Sequence, residues 1–197
     1  MSTPQSAKEL LPLTFPPPQR FETARLVLRA IEAKDVKLAF DLYSSDSVAT
    51  RYMAWKRCER IEESAAFVEP AAQFFAGQSS AVRDFVWIIE LKSTKEPIGS
   101  VGIGPSSPFS LGGGYILAHK YWGKGYASEA WKCVVDWAKA QPGVYRIQAT
   151  HALENPASGR VMVKSGMKFE GIRHRGGIYP NLSDKPQDEA IYAWARE

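Results

Sequence analysis

The stretch Tyr121-Trp122-Gly123-Lys124-Gly125-Tyr126-Ala127-Ser128-Glu129-Ala130 lies between a strand-like run and a run of helical apolar spacing. A glycine turn that opens a helix is an anion-binding arrangement. Glycines remove Cβ atoms, so successive backbone N–H groups can approach an oxyanion, and the unpaired amides of the helix start favour negative charge by ~0.3–1 kcal/mol. A pyrophosphate suits such a turn. The stretch is not a P-loop, because no Gly-Lys-Ser/Thr follows a four-residue spacer, and it lacks the third glycine of the dinucleotide fingerprint. Two glycines taken by themselves equally describe a plain tight turn.

A second helix start stands at Asn155-Pro156, a capping side chain followed by proline at the first helical position, with Gly166 placed to close a short helix. Ser158 falls in its first turn. Its hydroxyl can cap the chain end or donate to an anion developing at the helix start.

These two turns need elements to hold them. Alternation at Leu26, Leu28 and Ala30 predicts a strand, and Val36, Leu38, Ala39 and Leu42 predict a helix from Asp35. A second helix is expected from Glu59 to Ala76, ended by Gly77. Asp84 to Leu91, Pro97 to Ile103 and Gly113 to Ala118 read as an antiparallel meander, with Gly104 to Gly112 as a Pro/Ser/Gly connection. Ala127, Ala130, Trp131, Val134 and Ala138 form a helix that leads to a strand at Tyr145 to His151, a parallel crossover. Two last strands are expected at Lys168 to Arg173 and Glu189 to Ala195. Met1 to Arg20, with five of the 13 prolines, reads as an extended arm ahead of one domain over residues 21–197.

Gly114-Tyr115-Ile116-Leu117, the glycine turn, Asn155-Pro156-Ala157-Ser158-Gly159-Arg160-Val161 and Lys164-Ser165-Gly166-Met167 together resemble the GNAT superfamily of acetyl-CoA-dependent N-acyltransferases. Thr23-Ala24-Arg25-Leu26-Val27-Leu28-Arg29 and Ile98-Gly99-Ser100-Val101-Gly102 extend the likeness to the RimJ/RimL-type branch, from Phe21 to Arg196. The resemblance implies an α+β fold with a mixed, mostly antiparallel sheet of about seven strands flanked by helices, its fourth and fifth strands splayed. Acetyl-CoA would lie in the gap as cosubstrate, its pantetheine bonded to backbone near Leu117 and contacted by Asn155. Its pyrophosphate would rest on the amides of Gly123, Lys124, Gly125, Tyr126, Ala127 and Ser128. Trp122 and Tyr126 are candidate cofactor contacts, although aromatic rings beside a glycine turn more often pack onto the sheet.

The same likeness places Ser158 near the thioester sulfur. Many relatives carry a tyrosine seven residues after the asparagine, where this chain has Met162, so Ser158 is the candidate proton donor. An alkyl ammonium titrates near ~10.4, so a carboxylate, directly or through water, must take the acceptor's proton. Relatives often carry an acid two residues before the glycine matching Gly114; here that position is Gly112. Glu90, Asp184, Asp188 and Glu189 are the topological candidates, each with a solvated surface carboxylate as the ordinary alternative. His119 and His151 sit near strand ends and are read first as satisfied polar residues.

The implied activity is acetyl transfer from acetyl-CoA to a primary amine, a protein N-terminus or a small molecule, by direct attack in a ternary complex. A CoA-binding module with weak or no turnover is the alternative. Cys58 and Cys133 lack a nucleophile motif, a disulfide framework and zinc spacing, so no metal is expected and a reducing cytoplasm fits. No run approaches the ~18 apolar residues of a membrane span. A homodimer stays open. The 197 residues carry a net charge of +4. From Ala118 to Ile178 ten Lys/Arg face four Asp/Glu, so the positive charge belongs to the half that holds both turns, complementary to CoA rather than to nucleic acid.

Overall fold

A computed structural model describes residues 16–79 and 84–197. Eight strands form one sheet in the order β1-β2-β3-β4-β5-β6-β8-β7. They are β1 Arg20–Glu22, β2 Leu26–Ala30, β3 Phe85–Leu91, β4 Pro97–Ser107, β5 Ser110–Leu117, β6 Arg146–Ala152, β7 Lys168–Gly177 and β8 Gln187–Ala195. The helices are α1 Asp35–Ala39, which runs into a π-helical turn at Phe40–Ser44, α2 Ile61–Phe75, α3 Tyr126–Lys139 and α4 Pro156–Lys164. The sheet is thus one strand larger than expected, because the short β1 pairs antiparallel with β2. The expected arm lies outside the described residues up to residue 15. Beyond them the Pro18 carbonyl accepts the Trp87 indole N–H at 2.8 Å, and Arg20 already belongs to β1.

The period-2 pleat of β3 divides the core. Phe85, Trp87 and Ile89 face α3 in one cluster with Trp131, Val134 and Val135, whereas Val86 and Ile88 face α1 and α2 beside Ala39, Tyr43, Val68 and Ala72. These first five of the seven β3 side chains are all buried, which is why this strand reads as a continuous apolar run rather than an alternating one. Among the described residues no helix is long and apolar enough to cross a membrane.

The connection expected over Gly104 to Gly112 is instead strand. β4 continues to Ser107 and β5 begins at Ser110, in a hairpin registered from Gly99↔Leu117 to Ser107↔Ser110. Pro105 is accommodated where the register shifts. Gly113 is required here for close approach, since a Cβ would stand 2.1 Å from the Gly102 carbonyl oxygen.

Arg29 ties β2 to its neighbours. Its guanidinium reaches Asp35 at the start of α1 at 2.7 and 2.8 Å and Glu90 on β3 at 2.7 Å. The Asp35 bonds, more than those to Glu90, hold its pKa above the ordinary value against the opposing effect of burial.

Candidate active site

β5 and β6 run parallel but pair only over Ser110–Gly112 with Arg146–Gln148. Beyond Gly112 they diverge, so Tyr115, Ile116 and Leu117 have no partner on β6. A cavity of about 550 Å³ occupies the divergence and continues across the sheet. Gly113, Gly114, Tyr115, Ile116, Asn155 and Ser158 line one end, and Tyr52, Trp55, Phe67, Tyr179 and Glu189 the other.

The first end is built by the start of α4. Asn155 caps the helix, its side-chain oxygen accepting the Ser158 amide at 3.4 Å, and Pro156 follows at the first helical position. The Ser158 Oγ lies 2.7 Å from the Tyr115 hydroxyl, which also donates to the Ser158 carbonyl at 3.1 Å. Burial raises the Tyr115 pKa and the Ser158 contact lowers it less, so the phenol stays protonated at neutral pH. Sequence reasoning placed Tyr115 within a motif but gave it no role. The signal was its tyrosine beside the splayed strand, opposite a helix start. Met162 is buried in the core at 2% exposure.

The glycine turn closes the far end of β5. Gly123 and Gly125 have φ of 75° and 81°, left-handed conformations that favour glycine. A Cβ on Gly123 would meet nothing within 4 Å, so the space beside its Cα is open, and Gly125 caps α3. The turn is propped from β2: the Arg25 guanidinium donates to the Lys124 carbonyl at 3.0 Å and to Glu129 at 2.7 Å, and it stacks on the Tyr126 ring at 4.6 Å. Burial pushes the Glu129 carboxyl up, but the Thr23 hydroxyl and the Arg25 amide and guanidinium together bring it below 4.5. Tyr126 is therefore held against Arg25. Trp122, expected to pack, is 46% exposed and donates its indole N–H to the Leu117 carbonyl at 2.8 Å. That bond uses one lone pair of Leu117 and leaves the second.

Of the four candidate bases, Glu189 lines the cavity; Glu90, Asp184 and Asp188 do not. Glu90 is paired with Arg29, and Asp188 accepts from the Arg175 amide and meets His174. The Glu189 side chain is 4% exposed, ion-paired with Arg173, and accepts the Tyr179 hydroxyl at 3.0 Å. His119 lies off the cavity, bonded to Asp46 at 2.7 Å. His151 lines the cavity, yet its Nε2 is sealed behind α4, where a Cβ on Gly159 would sit 2.7 Å away.

Lys120, Lys132, Lys139, Arg146 and Arg173 pair with carboxylates, whereas Lys124, Arg160 and Lys164 form no ion pair among the described residues. Among those residues, three cations around the glycine turn and α4 are thus without a carboxylate partner. No three His, Cys, Asp or Glu side chains converge as a metal site among the described residues. Cys58 and Cys133 are free thiols, and burial pushes the Cys133 thiol up.

The family model described as "Acetyltransferase (GNAT) domain" matches residues 25–168. The chain is 32% identical over 174 residues to the uncharacterized N-acetyltransferase YoaA of Bacillus subtilis, covering 87% of this chain and 94% of that protein. A GNAT-family acetyltransferase from Bacillus anthracis superposes with a TM-score of 0.74 at 26% identity, over 89% of this chain and 98% of that one. RimL, a ribosomal L7/L12 alpha-N-protein acetyltransferase solved with coenzyme A, shares the fold at a TM-score of 0.74 and 17% identity, over 88% and 95% of the two chains.

Proposed function

We propose that this chain, which belongs to the GNAT acetyltransferase family, transfers acetyl from acetyl-CoA to a primary amine by direct attack in a ternary complex. The observation that carries the reading is one continuous cavity with Ser158 at the splayed end and Glu189 at the other. The motifs around Asn155 and Gly123 and the fold shared with RimL support a RimJ/RimL-like branch. Free cysteines agree with a cytoplasmic setting.

The residues present fit CoA. Backbone of Tyr115 to Leu117 unpaired by β6 offers hydrogen bonds to the amides of a pantetheine arm, and the Asn155 side chain faces the same gap. The amides from Gly123 to Ser128, entering α3, suit a pyrophosphate. Lys124, Arg160 and Lys164 supply neighbouring positive charge. Bound there, acetyl-CoA supplies the activated acyl group.

This chain's residues then manage two protons. Glu189 draws the acceptor ammonium into the cavity and takes its proton, directly or through water, freeing the nitrogen lone pair to attack the thioester carbonyl. As the C–S bond breaks, Ser158 donates its hydroxyl proton to the departing thiolate; the Tyr115 hydroxyl, 2.7 Å away, turns to pass its own proton to the serine oxygen and is reprotonated from solvent. The dipole at the start of α4 favours the same developing anion. The reading is tested by thiol release from acetyl-CoA with a panel of primary amines. Saturable release that requires an amine is expected; CoA binding with no release on any amine would point instead to a binding module.

A further inference from the structure

Resting on that reading, we propose that the acceptor is a primary amine carried on a compact aromatic body, seated between α2 and the loop after β7. The acceptor end of the cavity is walled by Tyr52, Met53, Trp55, Phe67 and Ile178. Two of these side chains stay open to solvent although they are large and apolar: Phe67 is 44% and Ile178 58% exposed. They come from segments more than a hundred residues apart and converge on one hollow, the pattern of a binding surface rather than of scattered surface residues. Trp55 and Phe67 stack with centroids 6.4 Å apart and planes 23° apart, and the same two rings with Tyr43 bound a second hollow of about 300 Å³ on the α2 side.

The two walls are tied together by one side chain. Asn181 donates to the Thr50 and Trp55 carbonyls, both at 2.8 Å, and accepts the Arg57 amide at 2.8 Å. The loop that carries Ile178 and Tyr179 is thereby fixed against the segment that carries Tyr52, Met53 and Trp55. This preformed slot needs little ordering when a flat ring enters.

Charge selects the head group. Among the described residues that line the cavity, Glu189 supplies a carboxylate, paired with Arg173, and Tyr52, Trp55, Phe67 and Tyr179 supply aromatic rings. An ammonium finds a carboxylate and several ring faces there. A phosphate or carboxylate on the acceptor would instead meet the Glu189 carboxylate.

The test uses the full chain loaded with CoA for calorimetry and with acetyl-CoA for kinetics, with 2-phenylethylamine, propylamine, glucosamine 6-phosphate and an acidic peptide with a free N-terminus as probes. We expect 2-phenylethylamine to bind the loaded protein and to exceed propylamine in kcat/KM by about tenfold or more, the worth of a filled apolar pocket. Phe67→Ala and, as a second exposed variant, Ile178→Ser should reduce that ratio toward one. Absent binding of 2-phenylethylamine, a higher kcat/KM for the phosphorylated or peptide probe, or a ratio unmoved in both variants would overturn the assignment. Loss of CoA binding, or amine binding with no transfer, would instead contradict the acetyltransferase reading and is seen separately.

Discussion

Ser158 and Tyr115 share a contact of 2.7 Å at the mouth of α4. If the serine protonates the thiolate, Ser158→Ala should lower kcat by about 10²-fold, the order of one positioned donor, while the acetyl-CoA Kd from calorimetry moves less than twofold. An unchanged kcat would remove Ser158 from the chemistry. Tyr115→Phe should cost less, about tenfold, because the serine hydroxyl remains. At the opposite end Glu189→Gln should reduce kcat/KM by about 10²–10⁴-fold. Its melting temperature must be compared in parallel, since Glu189 also holds Tyr179 and Arg173. Ser158 and Asn155 were legible because capping chemistry marks them in any helix start. Tyr115 was not, because its meaning depends on a strand that leaves its neighbour, a non-local event with no spacing of its own. Glu189 could be named but not separated from Glu90, since both are paired with an arginine and only the fold shows that Glu189 lines the cavity and Glu90 does not.

The glycine turn is an element whose conformation can be tested directly. Gly125→Val forces a β-branched residue to φ 81° and should weaken acetyl-CoA binding by about tenfold or more, from the 1–2 kcal/mol of left-handed strain. The prop beneath it has a pH signature. Glu129 titrates below 4.5 in the folded protein, so the stability it lends is fully present above that value and is lost as pH falls through the lowered folded pKa. Thermal melts from pH 7 down to 3 should show that acid loss shrinking in Glu129→Gln; an identical pH dependence in the variant would contradict the prop. The turn and both flanking elements could be read from the sequence, because glycine punctuation and 3.6-residue spacing are local. The prop could not, since Thr23 and Arg25 lie more than a hundred residues away. Nor could the true length of the β4–β5 hairpin, because proline, serine and glycine there suggest a loop until cross-strand register is known.

For the whole molecule, the net +4 is divided by the fold rather than spread evenly. Lys124 on the turn and Arg160 and Lys164 on α4 carry no ion pair among the described residues, and the acceptor end holds the Glu189–Arg173 pair. The acetyl-CoA Kd should therefore rise with salt between 50 and 500 mM, in the range where screening lengths fall to a few ångströms (on the order of 4–14 Å). Replacing Lys124 and Lys164 together by glutamine should flatten that dependence. The most direct check follows the acetyl group: acetyl-CoA labelled in the acetyl carbons is mixed with the protein and an amine panel, and both amine and protein are weighed by mass spectrometry. Direct transfer predicts label on an amine in amounts equal to the thiol released and none retained on the chain. Label covalently held by the protein, or saturable CoA binding with every amine unlabelled, would contradict it.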